Sequence, residues 1–205
     1  MSLLQASVSL PTSPFVPFAV GFMGLGTGYL IYGPQELFGF PKRGPSADLG
    51  VGVWGIWLPG LMQLVTGLYL FAGLTLFGTF KAPPDYVAAL AFTAYGIHWF
   101  AIGWNRLAGA DPRANVGMTV GYMVLSALGA LSFFLVPDNP VGGLFIGLFF
   151  IYVSDFFASL GPSFPKLGAW GTKALGFFHL GTGLWLMYLM WAIVLNLVNH
   201  YTLPL

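Results

Sequence analysis

Residues 116–160 read VGMTVGYMVLSALGALSFFLVPDNPVGGLFIGLFFIYVSDFFASL. Two apolar runs, 116–136 and 141–160, are separated here by PDNP, a series of strong turn formers. Each run is about 20 residues long, which is the length that a helix needs to cross a bilayer. An isolated strand is excluded because its backbone polar groups would have no partners in lipid, and neither run alternates like a barrel strand. The stretch therefore predicts two consecutive membrane helices.

The composition of the whole chain is also typical of a membrane protein. Of its 205 residues, 57% are hydrophobic and 6% are charged, and the mean hydropathy is +0.82. A soluble domain has about 25% charged residues, so soluble globular and disordered proteins are both excluded. The net charge of +1 is too small for a nucleic-acid partner. The absence of cysteine excludes thiol catalysis, disulfides and cysteine-ligated metals.

Breaks rich in glycine, proline and charged residues divide the rest of the chain in the same way. The sequence therefore predicts an all-α integral membrane protein with a single six-helix transmembrane domain over residues 1–205. The second span is too long to stand upright, so it must tilt, bend near Pro59 or leave the membrane near Gly78. The six spans are predicted at 15–32, 51–80, 86–106, 116–136, 141–160 and 172–198.

Several predicted spans contain glycines one helical turn apart. Small residues at this spacing allow two helix backbones to approach closely, so helix packing is their predicted role. The pairs are Gly24 and Gly28, Gly117 and Gly121, and Gly143 and Gly147.

The basic residues indicate an orientation in the membrane. Of the seven Lys and Arg residues, six lie in the first, third and fifth breaks, and the second break holds only Lys81. By the positive-inside rule, the odd breaks are predicted to be cytoplasmic and both termini outside, in the cytoplasmic membrane of a bacterium or archaeon. The six are Lys42, Arg43, Arg106, Arg113, Lys166 and Lys173.

Ionisable residues within membrane spans are candidates for function because burying them in lipid is costly. His98 and His179 lie in the third and sixth spans, and they could bind haem or quinone between two helices. The alternative is that each neutral imidazole hydrogen-bonds to a neighbouring helix or lines a hydrated path. Asp155 in the fifth span could pair with Arg106 or face a hydrated vestibule. Glu36 follows the first span and is predicted at the interface.

No catalytic constellation is recognised, because a Ser, a His and an acid scattered over different spans do not make a triad without geometry. The chain is therefore predicted not to be an enzyme, and no resident cofactor or metal site is predicted. Aromatic residues make up 18% of the chain, and Tyr95, Trp99 and Tyr152 lie near the middle of spans. They either pack the bundle or form a narrow gate that admits a small neutral or monoanionic solute and excludes ions.

Two segments, GIWLPGLMQLVTGLYLF at 55–71 and AFTAYGIHWF at 91–100, resemble a known family. They are similar to the second and third spans of the acetate/succinate permease family (AceTr), which carry a Gln in a glycine-framed helix and then an AFT-x-YG-x-x-W element. PFAVGFMGLGTG at 17–28 is similar to the opening helix of that family. The resemblance implies six helices around a pore in each protomer, a ring-shaped homo-hexamer, and a small monocarboxylate such as acetate as solute.

The resemblance also implies which residues line the path. The narrow point of the family uses a bulky residue of the first span, the Tyr of the AFT-x-YG element and a bulky residue of the fifth span. A proton is expected to accompany the anion, because a bare carboxylate in a pore of low dielectric constant costs far more than the neutral acid. In this chain the gate positions fall on Leu25, Tyr95 and Tyr152, and the polar or aromatic path positions are Gln63, Thr93, His98 and Trp99.

A weaker resemblance concerns GFPKRGPSA at 39–47 and WNRLAGADPR at 104–113. These segments are similar to elements of the AmiS/UreI family of urea and short-amide channels, which shares the six-helix hexameric architecture and has its termini outside. Three functions therefore stay open: a channel or transporter for a monocarboxylate, a passive urea or amide channel, and a membrane anchor subunit that binds haem or quinone through His98 and His179.

Overall fold

The computed structural model describes residues 17–205, and this part of the chain is helical throughout, without strands. Residues 15 and 16, where the first span is predicted to begin, lie outside the described residues. Short π-helical turns continue α2 into α3 and extend α3, and a 3₁₀ turn precedes α5. The helices are α1 (Phe18–Phe38), α2 (Pro45–Gly55), α3 (Met62–Phe71), α4 (Pro84–Ala108), α5 (Val116–Leu135), α6 (Asn139–Ser159) and α7 (Pro165–Asn199).

Prolines in the predicted breaks begin helices, so the helices start earlier than the predicted spans. Helices α2, α4 and α7 begin at Pro45, Pro84 and Pro165, and Pro140 lies in the first turn of α6. Proline is favourable in a first turn because its missing N–H would have no partner there. The predicted starts at 51, 86, 141 and 172 are corrected accordingly.

Helix α1 also extends further than predicted. Residues 33–38, predicted as part of a break, form its last turns and include Pro34 and Glu36. The helix ends at Gly39, which has a φ of +74° and donates its N–H to the Gln35 carbonyl over 3.0 Å. Glycine adopts this left-handed conformation without a steric cost, and that accounts for the end of the helix here.

The long second span is one helical segment from Pro45 to Leu76. Residues Ile56–Leu61 around Pro59 are π-helical, and the wider turn accommodates the hydrogen bond that proline cannot donate. The segment ends before Gly78, which has a φ of +60°. The predicted end of this span is therefore corrected from 80 to 76.

Among residues 17–205, five helical segments are long and apolar enough to cross a membrane, by length and composition. Helix α1 is not one of the five, and its last turns hold the polar residues Gln35 and Glu36. The described chain is therefore an all-helical membrane protein. The five segments are Pro45–Leu76, Pro84–Ala108, Pro112–Leu135, Asn139–Ser159 and Pro165–Asn199.

The helices close a ring around a common axis. Helix α1 packs on α7, α7 on α6, α6 on α5, α5 on α4, α4 on α2 and α3, and α3 back on α1. Large apolar side chains such as Leu68, Val124, Leu184 and Trp191 are exposed on the outside of this ring, where lipid would surround them. The ring of helices is therefore closed within a single chain.

Close helix contacts confirm the packing role of some predicted glycine pairs. A Cβ atom on Gly24 or Gly28 would lie 2.6 Å from the Leu58 carbonyl oxygen or from Pro59 Cγ. A Cβ on Gly147 would lie 2.6 Å from Thr182 Oγ1, so this residue also packs closely. For the remaining paired glycines the packing role stays a prediction, because outside the helix's own backbone no described atom lies within 4 Å of such a Cβ. These are Gly117, Gly121 and Gly143.

Basic residues from the first, third and fifth breaks lie at one end of the bundle, called the basic end below. Asp48 lies 3.3 Å from Arg43 Nε and 3.6 Å from Arg106 Nε, measured from its Oδ1 atom. Lys173 donates a hydrogen bond to the Leu37 carbonyl. These contacts join the start of α2, the end of α4, the end of α1 and the start of α7.

Candidate functional site

The interior of the ring contains two cavities. A vestibule of about 290 Å³ opens at the basic end, between α1, α4, α6 and α7. A second cavity of about 30 Å³ lies between α1, α3, α4, α5 and α6, with room for about two water molecules. No residue lines both cavities, so the side chains between them form a barrier on the axis of the bundle.

The vestibule has a polar wall. Tyrosine, histidine and charged side chains from four helices face it, together with the polypeptide around the 3₁₀ turn. Buried atoms in this wall have no hydrogen-bond partner among the described residues: the Tyr32 hydroxyl, Gln35 Oε1, His98 Nε2 and Arg106 Nη1. Because an unpaired buried polar group is costly, such a wall fits a polar ligand or water.

The small cavity is apolar except for one amide and one phenol. Leu25, Leu148 and several phenylalanines line it, with Gln63 and Tyr95. Gln63 is 0% exposed, and neither its Oε1 nor its Nε2 has a hydrogen-bond partner among the described residues. A fully buried amide without partners costs about 1–3 kcal/mol per group, so Gln63 is placed to bind whatever enters this cavity.

Two stacked tyrosines separate the cavities. The rings of Tyr95 and Tyr152 have centroids 5.7 Å apart and planes inclined by 18°, and both side chains are buried. Tyr95 lines the small cavity and Tyr152 lines the vestibule. The Tyr122 ring lies against both, at 5.4 Å and 5.0 Å. This layer therefore consists of three tyrosine rings, one each from α4, α5 and α6.

Hydrogen bonds from three helices hold the barrier in place. Ser126 Oγ donates to the Tyr122 carbonyl over 2.7 Å, so the Tyr95 hydroxyl donates to Ser126 Oγ over 2.9 Å. The Tyr152 hydroxyl is hydrogen-bonded to His98 Nδ1 over 3.2 Å. The barrier is therefore tied to α4, α5 and α6 at once.

Comparison with known proteins identifies this arrangement of helices. No family model matches the sequence, and no curated protein matches it. Among solved structures, the bacterial acetate channel SatP superposes with a TM-score of 0.69 over 90% of this chain and 94% of that chain. This chain has the SatP fold. The sequence identity is 17%, so the likeness shows the fold, and the resemblance to the acetate permease family is confirmed at that level.

Within the SatP fold, six of the seven predicted path residues line a cavity. The exception is Thr93, whose hydroxyl is buried and has no hydrogen-bond partner among the described residues. Thr93 lies where α4 packs closely against α3: a Cβ placed on Gly67 of α3 would be 2.6 Å from the Thr93 nitrogen. The sequence placed Thr93 on the path, but the structure places it in this helix contact. Leu25, Gln63 and Tyr95 line the small cavity, and His98, Trp99 and Tyr152 line the vestibule.

The three predicted gate residues do not form a single ring. Leu25 and Tyr95 line the small cavity, whereas Tyr152 lies on the vestibule side of the barrier. The residues of α6 that line the small cavity with Leu25 and Tyr95 are Val141, Leu144, Phe145 and Leu148.

Both histidines hydrogen-bond to neighbouring helices, as one of the two interpretations predicts. His179 Nδ1 donates to Glu36 Oε2 over 2.5 Å, while His98 Nδ1 is bonded to Tyr152. The Tyr29 ring stacks on His179 at 4.5 Å, and the Tyr122 ring lies 4.9 Å from His98. Each imidazole therefore has a protein partner at Nδ1 and an aromatic neighbour.

Asp155 lines the vestibule, as one of its two predicted alternatives has it, and no ion pair with Arg106 is found among the described residues. Asp155 accepts a hydrogen bond from Ser159 Oγ over 3.3 Å. Arg106 contacts Asp48 instead, and its Cζ atom lies 4.6 Å from the centre of the Tyr32 ring. Asp155 of α6 and Arg106 of α4 therefore line the same vestibule without forming an ion pair with each other.

The contribution of α1 to the vestibule was missed by sequence reasoning. Tyr29, Tyr32 and Glu36 all line the vestibule. Their spacing of three and four residues places them on one helix face, which is a signal that the sequence does contain. The prediction ended the first span at residue 32 and assigned Glu36 to the membrane interface, so this face of α1 was not recognised.

Proposed function

We propose that this protein is a membrane channel for a small monocarboxylate such as acetate. The observation that carries the proposal is the barrier of buried tyrosines between a polar vestibule and an apolar cavity, on the axis of a closed helix ring. Solute passes between the vestibule and the small cavity when Tyr95 and Tyr152 move apart. The SatP fold supports this proposal, since the structure that shares it is a bacterial acetate channel.

The polar groups suit a carboxylic acid at both sides of the barrier. Arg106 Nη1 is buried without an acceptor at the vestibule, and a carboxylate supplies the acceptor that a guanidinium prefers. Beyond the barrier, the Gln63 amide offers one donor and one acceptor, which match the carbonyl and hydroxyl of a neutral acid. The free guanidinium nitrogen favours a monocarboxylate over urea, because urea carries no charge.

A proton crosses with the anion in this proposal. The tyrosine barrier and the small cavity contain no cation to balance a carboxylate. Transfer of the neutral acid avoids the high cost of an unpaired charge in an apolar site. In this proposal the acid crosses the barrier without any covalent change, so no catalytic step is needed.

In this proposal α1 also crosses the membrane, which brings the number of spans to six. Six protomers form a ring, each protomer has its own path, and lipid surrounds the ring. Gly117, Gly121 and Gly143 support an oligomer, because they leave room on the surface of α5 and α6 for a neighbouring helix. The basic end with its vestibule faces the cytoplasm and both termini lie outside, in a bacterial or archaeal cytoplasmic membrane.

Uptake of labelled acetate and labelled urea into proteoliposomes, with and without an inward proton gradient, tests the function. Protein-free vesicles at alkaline pH correct for leakage of the neutral acid. We expect protein-dependent acetate flux that rises with the gradient. Urea flux that ignores the gradient would instead assign the protein to the urea and amide channels. If neither solute moves, the channel proposal is wrong.

Gln63→Leu should lower acetate flux about tenfold, equivalent to the loss of one to two net hydrogen bonds. The leucine has a similar volume and removes the only amide of the small cavity. Thr66→Val is the matched control, because Thr66 is buried one turn away on α3 and donates its hydroxyl to the Met62 carbonyl over 2.8 Å. Initial rates in proteoliposomes measure both variants, and equal rates for Gln63→Leu and the wild-type protein would contradict a role for this amide.

A further inference from the structure

We infer that Glu36, His179 and Asp155, called the acid–imidazole cluster below, form the proton-binding site of the vestibule. One proton enters this cluster when a solute anion binds next to it. The inference rests on the proposed function and adds the residues that carry the proton. None of the three belongs to the predicted gate or to the polar path residues.

Three helices bring the cluster together at one cavity. Glu36 of α1 and His179 of α7 are joined by the 2.5 Å bond, and their side chains are only 11% and 7% exposed. Asp155 of α6 is partly buried and lines the same vestibule. Its one side-chain hydrogen bond among the described residues comes from Ser159. All three line the vestibule, where a solute can reach them.

The charges of the cluster make proton uptake favourable. With both carboxylates ionised, the cluster has a net negative charge whether or not the imidazole carries a proton. Net negative charge on largely buried side chains is costly, and an added proton reduces it. A carboxylate that enters the vestibule is repelled less by the cluster once that proton is bound. Binding of the anion and of the proton therefore strengthen each other, and this coupling is reciprocal.

The other charged and titratable side chains that line the vestibule come from α1, α4, α6 and two loops. Arginine stays cationic and tyrosine stays neutral across the ordinary pH range. His98 is buried, and its Nδ1 is hydrogen-bonded to Tyr152. Asp111 pairs with Arg113. These side chains are Tyr29 and Tyr32 on α1, Arg43 in the loop after α1, His98 and Arg106 on α4, Asp111 before the 3₁₀ turn and Tyr152 on α6.

A purely structural ion pair between α1 and α7 is the alternative explanation for the bond between Glu36 and His179. Glu36→Gln separates the two explanations, because the amide keeps the size and can still accept the hydrogen bond from Nδ1 but cannot take up a proton. Asp155→Asn does the same for the second carboxylate. The matched control is Asp85→Asn, a carboxylate at the opposite end of α4 that lines neither cavity.

Two transport modes are compared in proteoliposomes of the full chain: acetate uptake driven by a pH gradient, and exchange of labelled for unlabelled acetate without a gradient. We expect Glu36→Gln and Asp155→Asn to lose about tenfold or more of the gradient-driven uptake, in line with ordinary coupling between two ligands. Exchange should stay within about twofold of the wild-type rate, because it needs no net proton transfer. Asp85→Asn should behave like the wild-type protein in both modes.

Proton uptake is also measured directly, by adding acetate to the detergent-solubilised protein in weakly buffered solution with a pH indicator. The wild-type protein should take up protons and both variants should not. Gradient-driven uptake that survives in both variants would overturn the inference. Acetate transport by the wild-type protein without proton uptake would overturn it as well, while the proposed function stands. Absence of any acetate transport would overturn the proposed function and this inference together.

Discussion

Tyr95→Ala is expected to let longer and branched monocarboxylates, such as butyrate and isobutyrate, cross almost as fast as acetate. The substitution removes the ring that stacks on Tyr152 and closes the small cavity, so the two cavities join. Flux of each acid into proteoliposomes, relative to acetate, measures the change. We expect the preference for acetate to fall about tenfold, which corresponds to about 1.4 kcal/mol of lost discrimination.

Two further variants separate selectivity from stability. Loss of a large buried aromatic ring costs about 3–5 kcal/mol of folding free energy, so the size-exclusion profile of Tyr95→Ala must be recorded with the fluxes. Tyr95→Phe keeps the ring and loses only the donation to Ser126, so its selectivity should stay. Tyr122→Leu disturbs the same layer but lines neither cavity, so it should also remain selective. Unchanged selectivity in folded Tyr95→Ala would refute the gate.

Gly96→Val is expected to prevent correct folding. A Cβ atom on Gly96 would lie 2.6 Å from the Leu64 nitrogen and 2.9 Å from the Gly60 carbonyl oxygen. Both are backbone atoms, so α4 cannot accept the side chain without moving away from α3. We expect a loss of stability at or above the upper end of the usual overpacking cost of about 1–3 kcal/mol. Size-exclusion profiles and thermal unfolding in detergent measure it.

Gly181→Val is the matched control for Gly96→Val. Gly181 lies within α7, and no described atom comes within 4 Å of a Cβ placed there. The two substitutions share the same helix-propensity cost, so they differ only in the contact. Gly181→Val should give a folded protein with a nearly unchanged melting temperature. Equal stability of the two variants would show that the contact between α3 and α4 does not need a glycine.

Part of the candidate site could be predicted from the sequence because it lies in recognisable elements. The AFTAYG segment pointed to Tyr95, and the glycine-framed second span pointed to Gln63. Both line the small cavity. The position of Thr93 in a helix contact could not be predicted, because it depends on how far each helix is rotated and shifted against its neighbours. The face of α1 with Tyr29, Tyr32 and Glu36 was missed because helix α1 continues through Pro34.

The sequence by itself determined that this protein is an all-helical membrane protein with breaks at defined places. Long apolar runs must be helical in lipid, and glycine and proline mark their ends. Only the tertiary structure decided which face of each helix points inward. In a membrane helix the lipid-facing and the protein-facing sides are both apolar, so periodicity carries little information about rotation. The pairing of Glu36 with His179 and the stacking of Tyr95 on Tyr152 therefore emerge only when the helices close the ring.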